Sequence, residues 1–296
     1  MEPDSTFATP VSPPQKTIIP YPTLPESWAI LGWFVLATFV TFGPGMLLLN
    51  LVRGLDKTAS MLALVALSYA PLFWWLHRKA GRRWTRLALA HRVPGWLYPA
   101  LPVLVLAMLV LESVFHYLHL PNWFQMLETT ARTNPIFTLM FGVVIIPACE
   151  ELLFRGIILQ GLLRRYRPWV AIGQSALLFA VFHVNPAQSV PVFFTGLLLG
   201  GLCYYTRSLW VCWGVHALNN ALAFASSTRI SAVSDTSTMA QVFHGPVIYT
   251  LSLLGSALFI GLVLRQLRQW AMRRVEFKVF ATSGAESASI GADSVE

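Results

Sequence analysis

Long apolar runs alternate along the chain with short polar interruptions, many of them carrying arginine. Eight runs are read, over residues 28–51, 59–76, 96–118, 135–163, 169–184, 191–205, 209–224 and 247–267. Most approach the roughly 20 residues that a helix needs to cross a bilayer. The pattern predicts an all-α fold: a polytopic membrane bundle of about eight transmembrane helices. Runs five to seven are short for full spans, so they are expected to be little tilted or packed inside the bundle. Residues 1–27 hold seven prolines, and 276–296 are rich in Ser, Ala and Gly. Both read as disordered cytoplasmic tails flanking a membrane domain of 28–275. The first tail lacks the basic-then-apolar order of a signal peptide, and no internal repeat is evident.

Composition agrees. The chain is 55% hydrophobic and 11% charged, with a mean hydropathy of +0.59, whereas a soluble protein carries about 25% charged residues. A net charge of +8 would suit nucleic acid. The basic residues instead cluster at run ends, as membrane topology requires, so the lipid bilayer is the expected partner and no nucleic acid is. Counted by side, one face holds sixteen Lys and Arg and the other four. The bias puts both termini in the cytoplasm. Short loops and the lack of a eukaryotic targeting signal suggest a bacterial inner membrane. The three cysteines, Cys149, Cys203 and Cys212, lie in apolar runs without a CxxC spacing and read as buried thiols.

Candidate chemistry sits where polarity breaks the runs. Run four carries Glu150, Glu151 and Arg155. Ionisable groups at membrane depth are costly and mark functional sites by default. Glu151 and Arg155 are four apart and can pair on one helix face, leaving Glu150, about 100° away, to face a cavity. Run five ends in Phe179-x-x-x-His183, and run seven carries His216-x-x-x-Asn220. Each alone reads as polar glue or an interfacial group. Together they predict a polar intramembrane cavity near mid-membrane, although the depths match only if helix tilt absorbs several ångström. Glu112 in run three reads as helix glue or a snorkelling group, and Asn219 points away from the face of Asn220.

Glu150-Glu151-x-x-x-Arg155, Phe179-x-x-x-His183 and His216-x-x-x-Asn220, in this order, resemble the CPBP family of intramembrane CAAX-prenyl endopeptidases and bacteriocin-processing proteins, also called Abi. The resemblance covers about residues 135–225. It implies an intramembrane endopeptidase in which Glu150 and His183 activate a water while His216 and Asn220 stabilise the oxyanion, with Glu151 and Arg155 in support. The implied partner is a membrane-associated peptide or protein substrate, CAAX-like or another lipidated or leader peptide, entering from the cytoplasm or laterally from lipid. No cofactor is favoured. A zinc ion held by Glu150, His183 and His216 is the alternative chemistry, although no HExxH is present. Other readings are a non-enzymatic scaffold or bacteriocin-immunity protein, and a proton-coupled transporter, against which the lack of a repeat speaks.

Overall fold

The computed structural model describes residues 21–51, 57–80, 92–123, 135–230 and 239–274. Every regular element among them is helical. Helix α1 is Leu24–Leu51, α2 Lys57–Ala80 and α3 Leu97–Glu112, which a 3-10 helix prolongs over Ser113–Leu118. Helix α4 covers 135–162 and α5 Pro168–Phe182. Then come α6 (Pro186–Thr206), α7 (Leu209–Ile230), the short α8 (Met239–Val242) and α9 (Pro246–Met272).

The apolar runs became helices, with shifted ends. Helix α1 begins at Leu24 rather than 28, because Glu26 and Thr23 close its first turn: the Thr23 amide and hydroxyl both donate to Glu26 Oε2, at 2.9 and 3.0 Å. Residues 21–27 therefore belong to the packed structure, with Tyr21 and Ser27 buried; the tail residues 1–20 and 275–296 lie outside the described residues. Helix α6 begins at Pro186, not 191, since proline at the first helical position costs no hydrogen bond. Helices α6 and α7 are thus 21 and 22 residues long, while α5 is short at 15.

Four described helical segments are long and apolar enough to cross a membrane: Leu24–Gly45, Leu97–Leu118, Pro186–Thr206 and Pro246–Met272. Polarity is arranged for lipid rather than water. Phe39, Val247 and Leu258 are exposed on the outside, while Glu151, Arg155 and His216 are buried within.

Helix α4 occupies the centre, touching α2, α5, α6 and α7. Around it, α1 pairs with α2, α5 with α6 and α3 with α9. Small residues bring α5 and α6 together: a Cβ on Gly196 would lie 3.0 Å from Ala176. The Arg274 guanidinium donates to Arg92 O (3.1 Å), joining the end of α9 to the start of α3. The Leu24 amide donates to the Tyr166 hydroxyl (3.3 Å), joining the start of α1 to the α4–α5 turn. At the opposite end, Trp123 N donates to Asn185 Oδ1 (3.1 Å) and Ala187 N to Pro121 O (3.3 Å).

Candidate active site

Helix α4 changes its winding around the acidic pair. A six-residue α-helical piece, Ile146–Glu151, lies between two wider, π-type stretches, Thr138–Ile145 and Leu152–Leu159. Wide turns of this kind are uncommon and often lie at functional sites. Glu150 and Glu151 end the α-helical piece, and Arg155 stands on the wide turn after it.

The pair suggested by the four-residue spacing forms: Arg155 Nη1 donates to Glu151 Oε1 at 2.9 Å, both side chains being buried. Arg155 Nη2 donates to Gly196 O on α6 (3.4 Å), and the guanidinium lies 4.3 Å from the centre of the Phe179 ring. Glu151 Oε1 also accepts from His216 Nδ1 on α7, at 2.8 Å. A carboxylate only accepts, so Nδ1 carries the proton. The other ring nitrogen, Nε2, lies 3.6 Å from Glu150 Oε2. His216 thus spans the acidic pair.

Glu150 is 6% exposed, and its Oε1 takes the Tyr69 hydroxyl of α2 at 3.5 Å. Glu150 and His183, expected to act together on a water, make no direct hydrogen bond or ion pair with one another among the described contacts. His183 closes the short α5, and its Nδ1 meets Phe179 O at 2.8 Å. A carbonyl accepts, so this ring holds its proton on Nδ1, and Nε2 keeps a lone pair. The Phe179 ring stands edge-on to both imidazoles, 4.9 Å from His183 and 5.6 Å from His216 between centres.

A cavity of about 380 Å³ adjoins this cluster; its walls include His183, His216, Asn219, Asn220, Glu112 and Thr195. Glu150 is not among its lining residues and meets it through His216. Asn220 Nδ2 donates to Gly142 O on α4 (3.0 Å), which orients the amide. Asn219, set aside on helical geometry, lines the cavity too, and its Oδ1 has no partner among the described residues. Glu112 is the glue between helices that its position suggested. It lies on the cavity wall and accepts a short hydrogen bond from the Thr195 hydroxyl of α6. Tyr69 was not singled out, since one hydroxyl in an aromatic-rich run gives no signal of its own.

Among the described residues no group of three or more His, Cys, Asp or Glu converges to hold a metal, and both Nδ1 atoms are committed elsewhere.

Residues 132–222 match the family model Rce1-like, described as "Type II CAAX prenyl endopeptidase Rce1-like". That span contains the acidic pair, both histidines and Asn220, and the family model is similar to the CAAX proteases that the motifs resemble. No curated protein and no solved structure matches the chain. The long apolar helices and the likeness of this segment to a family of membrane proteases support an integral membrane protein.

Proposed function

We propose that the protein is an intramembrane endopeptidase that hydrolyses a peptide bond of a membrane-associated substrate without a metal. The single observation that carries this reading is His216, which touches Glu150 and Glu151 on one side and a cavity shared with His183 and Asn220 on the other. With both ring nitrogens protonated, His216 and Arg155 balance the two glutamates, which makes burial of the set tolerable.

The chemistry follows from these contacts. Glu150, which the cavity does not touch at rest, turns past His216 toward a water in the cavity; that water donates one hydrogen bond to His183 Nε2 and gives its other proton to Glu150 as it attacks the carbonyl carbon. Glu150 is then neutral, and the His216 Nε2–H loses its anionic neighbour just as charge develops on the carbonyl oxygen. That N–H and the second N–H of the Asn220 amide donate to the oxyanion. On collapse, the proton on Glu150 passes to the leaving nitrogen, the carbon–nitrogen bond breaks, and the two products separate as acid and amine. Glu151 and Arg155 hold His216 in position.

The same reading takes the eight apolar runs as eight spans, both termini as cytoplasmic, residues 28–275 as one membrane domain between two tails, and the host membrane as a bacterial inner membrane. The catalytic core is about 135–225. The substrate is a lipidated, leader or CAAX-like peptide; nothing nucleic is bound.

The test is comparative peptidomics of membranes holding wild-type protein or Glu150→Gln. Peptides present only with wild type support the assignment and give the cleaved bond. Identical peptide sets would end it and favour a scaffold role.

A further inference from the structure

Among the described residues the site is open on one side only. From Leu153 to Leu163 every residue of α4 and the turn after it is buried, Arg155 completely. This half of α4 runs toward the α4–α5 turn. Its other half is loosely covered: Ile136, Leu139, Met140 and Val144 are exposed. The cavity follows the loose half, along Thr138 and Gly142 of α4 and Ala187, Gln188 and Pro191 in the first turns of α6. A second cavity of about 380 Å³ shares Glu112, Ala187 and Pro191 with it and continues to His116 and His119 at the end of α3, both exposed. The route from the surface to His183 and His216 thus starts at the end of the bundle where α3 finishes and α6 begins.

Charge marks the other end. Helix α2 finishes in Arg78 and Lys79, the α4–α5 turn holds Arg164, Arg165 and Arg167, and α9 is followed by Arg273 and Arg274. At the cavity end, Lys57 and Arg229 are the only Lys or Arg among the described residues. Basic residues stay in the cytoplasm when membrane proteins insert, so the arginine-rich end is the cytoplasmic one and the cavity faces away from it.

We infer that the substrate reaches the site from the extracytoplasmic face, so that the bond cut belongs to an exported or membrane-inserted chain displayed on that side, not to a lipidated C terminus in the cytoplasm. This rests on the endopeptidase reading for the word substrate, and on geometry and charge for the side. It replaces the entry routes expected from the sequence, cytoplasm or lipid, with the opposite face.

Cysteines introduced one at a time at Ala187, Val184 and Met272 of the full chain, each with Cys149→Ala and with the buried Cys203 and Cys212 left in place, test the side in bacterial inner membranes. Ala187 lines both cavities, Val184 is exposed at the same end, and Met272 is exposed at the arginine-rich end. A membrane-impermeant sulfonated maleimide applied to intact spheroplasts is expected to consume Ala187→Cys and Val184→Cys and to spare Met272→Cys until lysis. Ala187→Cys that reacts only after lysis overturns the inference. If Ala187→Cys is inert throughout, Val184→Cys decides: modification in intact cells supports the inference, and protection overturns it. Labelling needs no turnover. A protein that labels from outside yet cleaves nothing would sink the endopeptidase reading and leave the sidedness standing.

Discussion

His216 and Arg155 meet on one oxygen: Glu151 Oε1 accepts from His216 Nδ1 at 2.8 Å and from Arg155 Nη1 at 2.9 Å. One carboxylate oxygen therefore ties α7 to α4, and through Arg155 Nη2 and Gly196 O to α6. Removing the guanidinium strands a buried carboxylate. Arg155→Ala is expected to lose about 3–5 kcal/mol of stability, the range seen when one member of a buried pair is deleted. Thermal unfolding in detergent checks it, and a midpoint equal to that of the parent would show that the pair does not support the fold.

Glu150 has a different role, with a weak hydroxyl contact and an imidazole at 3.6 Å. Glu150→Gln keeps the shape and removes the base. Cleavage should fall by about 10²–10⁴-fold, the usual worth of general-base catalysis, with little change in thermal midpoint. Loss of fold and activity together would point instead to a structural carboxylate.

Glu112 is held by the Thr195 hydroxyl across the α3–α6 contact. Glutamine keeps an acceptor oxygen there, and alanine does not. Glu112→Gln should unfold like wild type, whereas Glu112→Ala should lose about 1 kcal/mol, typical of an interhelical hydrogen bond in a membrane protein. Equal losses in both variants would mean that charge, not the hydrogen bond, matters at this wall.

The Gly196 position leaves no room: its Cβ would sit 3.0 Å from Ala176. Gly196→Val should push α5 from α6, cost about 1–3 kcal/mol, and move the carbonyl that takes Arg155. Unchanged stability would show that the α5–α6 contact is looser than its geometry.

Metal removal should change nothing. No set of three ligands converges among the described residues, so dialysis against a chelator is expected to leave activity intact, and elemental analysis should find no stoichiometric zinc. Zinc lost in step with activity would overturn the metal-free chemistry.

Much of the helical order was legible because apolar runs broken by charge leave few other folds. The Glu151–Arg155 contact was legible because a four-residue spacing fixes a shared face. What escaped depends on packing between helices. Sequence spacing relates His183 to Phe179 but does not show that the same ring also packs edge-on against His216. It does not reveal that His216, rather than His183, reaches Glu150. Glu112 and Tyr69 enter the site's surroundings only once α3 and α2 pack beside α4 and α6. The wide turns flanking Ile146–Glu151 are equally invisible to a reading at 3.6 residues per turn.

The unbroken burial from Leu153 to Leu163 also bears on the cell's energy supply. A solvent-filled chamber in an energised bilayer threatens to short-circuit the ion gradient. Eleven consecutive covered residues, with the Arg155 charge locked among them, insulate the remaining thickness. On the proposed reading, a cavity wetted from one end would thus stay sealed from the arginine-rich end.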